Sequence, residues 1–225
     1  MTGLARIPEP EYMDIEEEAA AYAEADFDEV NEAFVDRLLE LMPRTGFVHA
    51  LDLGTGPCDI PMRVLARRPA WRIAAVDASF AMLQFGRRRL AQAPAPKPAL
   101  DTVLLDAKRL PFRDHSFGLV FTNSILHHIT EATPFWQEIK RVSASGATVF
   151  LRDLMRPDTE VQARAIVTIY SGNESALLQE EFYRSLLSAY TVEEVQMQLR
   201  EAGLDTLSVE PVTDRHLDVT GTLKC

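Results

Sequence analysis

The chain has 225 residues, of which 47% are hydrophobic and 25% are charged, and its formal net charge is −11. This length is sufficient for one α/β domain with a full core and a small attachment. The net negative charge argues against nucleic acid and against an anionic membrane as partners, because clustered Lys and Arg bind both.

The sequence has no basic-then-apolar signal at its N-terminus and no apolar run long enough to span a membrane. Its two cysteines, Cys58 and Cys225, are far apart and suggest neither a disulfide framework nor a metal site. We therefore expect a single cytoplasmic domain, residues 1–225, without a metal centre.

Two helices are predicted before the first strand, over residues 14–24 and 28–42. The segment from Glu9 to Asp36 has many acids and no Lys or Arg, a composition that is also common in disordered tails. The apolar residues that recur at helical spacing include Ala19, Tyr22, Ala23, Val30, Phe34 and Leu38. This spacing favours helices that pack on the domain.

A continuous apolar run from Phe47 to Leu53 predicts a buried parallel strand. Gly54 and Gly56 follow it and permit a tight turn that a ligand can approach closely. Pro57 is suited to the first turn of the next helix. A strand, a glycine turn and a helix in this order form the first unit of a nucleotide-binding doubly wound sheet. A pair of glycines also occurs in ordinary turns of other α/β proteins.

The next two predicted strands each end at a carboxylate. The strand over residues 71–77 ends at Asp77, about 20 residues beyond the glycines, where a carboxylate accepts hydrogen bonds from ribose hydroxyls. The strand over residues 100–105 is followed by Asp106. Because parallel strands end at the same edge of a sheet, these residues predict one ligand site.

The remaining elements complete the sheet. A strand over residues 117–122 leads to a polar segment with two adjacent histidines, and a strand over residues 146–151 leads to Asp153. Two helices over residues 159–171 and 174–189 follow without an intervening strand, and a capping box predicts a last helix. Two final strands joined by a short turn predict a hairpin. The expected fold is a Rossmann-like, seven-stranded doubly wound α/β sheet, mostly parallel with an antiparallel C-terminal hairpin strand.

Four motifs in this order resemble those of the class I S-adenosylmethionine-dependent methyltransferases, over nearly the whole chain. They are Asp52-x-Gly54-x-Gly56, Val76-Asp77-x-Ser79-x-x-Met82-Leu83, Asp106-x-x-x-Leu110-Pro111-Phe112 and Phe117-x-x-Val120-x-x-Asn123-x-x-Leu126-His127-His128. The resemblance is closest to the small-molecule branch that includes quinone methyltransferases. It implies methyl transfer from S-adenosylmethionine to a small organic acceptor. Cys58 departs from the pattern, because it stands where the family often has a third glycine and would crowd the turn.

The resemblance also implies which residues hold the cofactor. They are Asp52, Gly54, Thr55, Gly56, Asp77, Ala78, Ser79, Met82, Asp106, Ala107, Asn123 and Ser124. Tyr22 is also predicted to bind the cofactor, as part of the helical lid described below. In that family the glycines approach the methionine part, Asp52 orients the ammonium group and Asp77 takes the ribose hydroxyls. Asp106 and its neighbours face the adenine.

A base is needed only if the acceptor must lose a proton. His127 and Asp153 are candidates, because both follow strand ends. A histidine in this position also commonly only packs, and Asp153 has Arg152 and Arg156 nearby as surface partners. Residues 1–45 are predicted to form a helical lid with Tyr22 or Phe27 against the cofactor, and residues 158–190 a helical insertion over the acceptor pocket.

Two alternative functions fit the same sequence. One is an NAD-dependent oxidoreductase with an atypical glycine motif, and the other is a catalytically inactive S-adenosylmethionine-binding scaffold subunit. The acceptor atom and the oligomeric state are not predicted.

Overall fold

The structure is a computed structural model that describes residues 3–10, 16–94 and 97–224. Residues 14–15 of the first predicted helix, and Cys225, lie outside these ranges. The helices are α1 Glu16–Glu24, α2 Asp28–Glu40, α3 Asp59–Arg67, α4 Phe80–Gln92, α5 Ala132–Val142, α6 Glu160–Ser171, α7 Ala176–Ser188 and α8 Val192–Glu201. The strands are β1 His49–Leu53, β2 Arg72–Asp77, β3 Leu100–Leu104, β4 Phe117–Asn123, β5 Ser143–Leu154, β6 Leu207–Pro211 and β7 His216–Thr222.

The seven strands form one sheet in the order β3-β2-β1-β4-β5-β7-β6. The pairs among β1 to β5 are parallel, whereas β7 is antiparallel to both β5 and β6. The order reverses between β1 and β4, which is where ligands bind in doubly wound sheets. The predicted fold class is therefore confirmed, including the antiparallel hairpin.

Both faces of the sheet are covered, which explains why its strands are continuously apolar. Leu51 of β1 packs in one cluster with Trp136 of α5 and Leu199 of α8. The preceding residue, Ala50, packs in a second cluster with side chains of α2 and α3. Alternate residues of β1 thus point into the hydrophobic cores on opposite faces of the sheet. This packing holds β1 in place, and therefore also the residues at its carboxyl end.

Side-chain caps define where several helices begin. Ser79 accepts a hydrogen bond from the Met82 N–H at the start of α4, as expected for an N-cap residue. Thr191 and Glu194 form the predicted capping box at α8. No helix within the described ranges has the length and apolar character needed to cross a membrane.

The turn between β1 and α3 differs from the prediction at two residues. Pro57 lies in the turn, because α3 begins at Asp59. Cys58 has a φ of 61°, a left-handed conformation that a glycine adopts more readily. Its side chain is fully buried against Gly86 of α4, where a Cβ atom would overlap the Cys58 sulfur. The expected crowding of the turn is thus avoided, because Gly86 leaves room for the thiol.

We predict that Gly86→Ala lowers the free energy of unfolding by about 1–3 kcal/mol, the usual cost of overpacking a core. Adding Cys58→Gly removes the sulfur that the new methyl group meets and permits the left-handed backbone. Urea denaturation of both single variants and the double variant measures the coupling, which we expect to exceed about 1 kcal/mol. Additive effects of the two substitutions would contradict the proposed packing.

Candidate active site

One cavity of about 770 Å³ lies along the carboxyl edge of the sheet. Most of the predicted site residues border it, namely Tyr22, Gly54, Gly56, Asp77, Ala78, Ser79, Met82, Asp106, Ala107, Asn123, Ser124 and His127. Thr55 borders a smaller adjoining cavity, and Asp52 and Asp153 are buried beside these walls. The fold therefore brings together residues that the sequence distributes over five predicted strand ends and the first predicted helix.

The glycine turn after β1 is closed by hydrogen bonds from its own backbone. The N–H groups of Gly54 and Thr55 both donate to the carbonyl oxygen of Val76 in β2. Gly54 has a φ of 70°, and a Cβ atom there would lie 2.7 Å from Cδ1 of Ile125. A larger residue at Gly54 would be strained and would clash, so this position requires glycine.

Asp77 joins the glycine turn to the start of α4. One carboxylate oxygen accepts from the Gly56 N–H at 2.7 Å and the other accepts from the Ser79 N–H at 2.8 Å. The sequence indicates Asp77 as a ribose ligand but gives no sign of this second role. Because both oxygens are held by backbone donors, the carboxylate has a fixed position at the cavity wall.

Asp52 is a buried carboxylate without a complete set of hydrogen bonds. Within the described residues, its Oδ2 atom and the Thr55 hydroxyl have no hydrogen-bond partner. Burial, together with the charge of Asp77, outweighs the opposing effect of the Thr55 hydroxyl and raises the pKa of Asp52 to about 7. A buried oxygen without a partner is costly, so this position favours a cationic hydrogen-bond donor such as the amino group of the implied cofactor.

The other implied contacts lie further along the edge. Asp106 is half-exposed, and one of its oxygens accepts from the Lys108 N–H at 2.8 Å. Ser124 follows β4 with a φ of 59°, and its N–H donates to the Arg152 carbonyl. Asp106 follows β3 and Ser124 follows β4, two parallel strands that are separated in the sheet by β2 and β1.

Two aromatic rings from the N-terminal helices face this edge. Tyr22 and Phe27 have ring centroids 4.8 Å apart, and both residues border the cavity. Burial raises the pKa of the Tyr22 hydroxyl to about 12, so this phenol is neutral at physiological pH. Tyr22 therefore presents an apolar ring and a hydrogen-bonding hydroxyl near the glycine turn.

His127 and Asp153 form a buried pair at the other end of the cavity. Nδ1 of His127 lies 2.5 Å from Oδ1 of Asp153. Burial alone would lower the pKa of His127, but the carboxylate of Asp153 outweighs it and raises the pKa. Burial would likewise raise the pKa of Asp153, but His127 and two backbone N–H donors lower it. Since Asp153 binds the proton of Nδ1, the Nε2 atom is directed away from the pair.

The surface partners considered for Asp153 bind elsewhere. Arg152 forms a two-point contact with Asp218, at 2.6 and 2.7 Å, and Arg156 contacts Glu194 at 2.6 Å. Asp153 is thus available to His127 alone among these charged groups. This pairing requires the parallel alignment of β4 with β5, which brings the two strand ends together.

Glu9 is a site residue that the sequence does not reveal. Its side chain is 7% exposed, and Oε1 lies 3.5 Å from Nε2 of His127 and 3.2 Å from Nδ1 of His128. It belongs to residues 3–10, here named the N-terminal strap. The strap is held to α7 by hydrogen bonds from the Ile7 N–H to Leu187 and from the Glu9 N–H to Ser188. No local pattern marks Glu9, because its partners are distant in sequence.

The helical insertion lines the same end of the cavity. Its bordering residues are Tyr170, Ser171, Glu174, Leu178, Glu181, Phe182 and Ser185. Tyr183 instead packs under the guanidinium of Arg164, at 4.4 Å. The Tyr190 hydroxyl donates to the carbonyl of Ile129 at 2.7 Å. These two tyrosines thus stabilise the packing beside the cavity.

Comparisons with known proteins agree with this architecture. Residues 51–151 match the family described as a methyltransferase domain. The demethylmenaquinone methyltransferase of Roseiflexus sp. is 32% identical over 108 residues, which cover 48% of this chain and 43% of that protein. The malonyl acyl-carrier protein O-methyltransferase of Legionella pneumophila is 31% identical over 134 residues, 58% of this chain and 44% of that protein. The chain therefore matches less than half the length of either relative.

A solved structure gives the same fold. The S-adenosylmethionine-dependent methyltransferase of Aquifex aeolicus aligns with a TM-score of 0.67 and 15% identity, over 91% of this chain and 97% of that one. The sheet order, glycine turn and strand-end carboxylates define the class I S-adenosylmethionine-dependent methyltransferase architecture. The match of residues 51–151 to a methyltransferase domain agrees with this architecture.

We predict that Asp52→Asn makes unfolding less dependent on pH. The folded protein keeps the Asp52 proton up to about pH 7, whereas the unfolded chain releases it near pH 4, so wild-type stability falls between these values. Denaturation at pH 5 and pH 8 gives the difference in the free energy of unfolding between these two pH values. This difference should be about 2 kcal/mol smaller in the variant than in the wild type. An equal loss in both proteins would contradict the assigned pKa.

Proposed function

We propose that the protein transfers a methyl group from S-adenosylmethionine to a small organic acceptor. The observation that carries this proposal is the buried Asp52 oxygen beside the glycine turn, which has no hydrogen-bond partner among the residues that the structure describes. An amino group of the cofactor would satisfy that oxygen and neutralise its charge. A dinucleotide would place phosphates at the turn instead, where Asp52 and Asp77 are unfavourable neighbours.

The chain's own residues would hold the cofactor along the edge of the sheet. Gly54 and Gly56 admit its methionine part, and Asp77 faces its ribose hydroxyls with a carboxylate that is already positioned. Asp106 and Ala107 lie where the adenine would end, and Tyr22 covers the methionine end. When bound, S-adenosylmethionine supplies an activated sulfonium methyl group, so positioning and exclusion of water can account for much of the rate.

His127 and Asp153 are proposed to activate the acceptor. Asp153 holds Nδ1, so Nε2 is the atom available to the acceptor end of the cavity. Nε2 can act in two ways, as a proton acceptor or as a ligand of a cation that polarises the acceptor. The carboxylate of Glu9 at 3.5 Å favours the second role.

Cavity size supports a small acceptor. The volume of about 770 Å³ falls within the range of sites for small molecules, and it must also admit the cofactor. The quinone and acyl-carrier methyltransferases that match the domain are consistent with a small or carrier-bound acceptor. The acceptor end combines the apolar Leu178 and Phe182 with the polar Ser185 and His127, which suits an apolar molecule with a hydroxyl group.

Isothermal titration calorimetry with S-adenosylhomocysteine and with NAD tests this proposal. We expect the wild type to bind S-adenosylhomocysteine and not NAD. Asp77→Ala should weaken binding by about 1.5–3 kcal/mol, the value of hydrogen bonds to a charged group. Asp101→Ala is the matched control, because Asp101 is exposed on β3 and pairs with Arg72. Heat with NAD and none with S-adenosylhomocysteine would favour the oxidoreductase instead.

We further propose that α1, α2 and the helical insertion close over the bound ligand. The N-terminal helices place Tyr22 and Phe27 at the cavity, and α6 and α7 form a separate apolar cluster with few links to the sheet. Such peripheral units open more readily than a central sheet. Closure would exclude water from the transferred methyl group.

Hydrogen exchange with and without S-adenosylhomocysteine measures this closure. Amides in residues 16–40 and 160–188 should exchange more slowly when the ligand is present. The amides of β6, which lies at the far edge of the sheet, provide the internal control. Slower exchange at the strand ends without any change in these helices would mean that they only support the fold.

A further inference from the structure

The N-terminal strap brings a third potential ligand atom to the two adjacent histidines. Oε1 of Glu9, a nitrogen of His127 and a nitrogen of His128 all lie within 4.8 Å of one another. The histidines follow β4 in a short 3-10 turn, whereas Glu9 reaches the site from the strap. Two imidazoles and one carboxylate form a donor set that is common for zinc and for other divalent transition metals.

The separations suit ligands of one ion better than direct hydrogen bonds. Glu9 Oε1 is 3.5 Å from Nε2 of His127, which is longer than a charge-assisted hydrogen bond of about 2.7–2.9 Å. The edge of a tetrahedron with metal–ligand distances of 2.0–2.1 Å measures about 3.3 Å. The 3.5 Å separation and the 3.2 Å separation from Nδ1 of His128 both lie close to that edge.

The charges around His127 also favour a cation. Glu9 and Asp153 are buried carboxylates on opposite sides of its ring. Arg6 is the neighbouring guanidinium, but it donates to the backbone carbonyls of His127, Ile129 and Ser188. Buried carboxylates need a compensating positive charge. A cation between Glu9 and Nε2 of His127 would supply that charge to both Glu9 and Asp153.

We propose that Glu9, His127 and His128 bind a divalent transition-metal ion, with zinc as the best match. Asp153 would then be a positioning residue, since its contact with Nδ1 is the carboxylate–histidine arrangement that orients metal ligands. Nδ1 of His128 lies 3.2 Å from the Pro10 carbonyl, so the ring donates there without an ion and changes tautomer to bind one. Ion binding is independent of methyl transfer. The role of the ion, which would polarise an acceptor hydroxyl at its open fourth coordination position, rests on the proposed function.

The test uses untagged full-length protein and Co²⁺ as a spectroscopic probe of zinc sites. Wild-type protein should bind a single Co²⁺ ion with the visible absorption of a four-coordinate site, and Zn²⁺ should displace it. Glu9→Gln and His128→Ala should each weaken Co²⁺ binding by more than about tenfold, and Asp153→Asn by about 10–100-fold. His216→Ala is the matched control, because His216 borders the same cavity outside the cluster, and it should bind Co²⁺ like the wild type.

Titration of the same variants with S-adenosylhomocysteine reports their folding independently of the metal. Variants that retain this ligand but lose Co²⁺ support the metal site. Absence of stoichiometric Co²⁺ binding by the wild type would overturn it, as would unchanged binding by Glu9→Gln and His128→Ala. Wild-type protein that binds Co²⁺ but not S-adenosylhomocysteine would leave the metal site standing and contradict the proposed function.

Discussion

The Asp77 carboxylate holds together the edge on which the site depends. It accepts hydrogen bonds from Gly56 in the turn after β1 and from Ser79 at the start of α4. The carbonyl of the preceding residue, Val76, accepts from Gly54 and Thr55. The end of β2 therefore fixes both loops that border the half of the cavity proposed for the cofactor. A carboxylate positioned in this way can bind a ligand without reorganisation, which reduces the entropic cost of binding.

The acceptor half is organised by a different carboxylate. Asp153 accepts from the Leu126 and Leu154 N–H groups and from His127, so it positions the turn and the imidazole together. The strap closes this half from the other side, because Arg6 donates to the backbone carbonyls of His127 and Ile129 at this turn and of Ser188 at the end of α7. In the proposed function, Asp77 and the buried Asp153 would thus separate cofactor recognition from acceptor activation along one sheet edge.

Much of the fold could be predicted from the sequence, because local patterns determine it. The apolar runs predict the buried strands, Ser79 and Thr191 predict helix starts, and the short turn before His216 predicts the antiparallel strand. The cofactor half of the site is also local, since Gly54, Asp77 and Asp106 each follow a strand that the sequence reveals. Parallel strands end at one edge, so these residues meet as predicted.

The remaining features depend on contacts between distant segments. Cys58 is accommodated only because Gly86 in another helix lacks a side chain, and Asp153 meets His127 only because β4 and β5 are adjacent. Glu9 shares no motif with its partners, and its acidic surroundings suggested a helix or a tail. The sequence therefore gives no sign of the proposed metal site, since Glu9 meets the two histidines only after the strap packs on α7.

Cofactor binding at the carboxyl edge of the sheet is tested most directly by a crystal structure with S-adenosylhomocysteine. We predict electron density with the amino group near Asp52, the ribose hydroxyls within hydrogen-bonding distance of Asp77 and the adenine beside Asp106. The sulfur should point toward the His127 end of the cavity. Density that occupies another surface, or that reverses the ligand so that adenine lies at the glycine turn, would contradict the account.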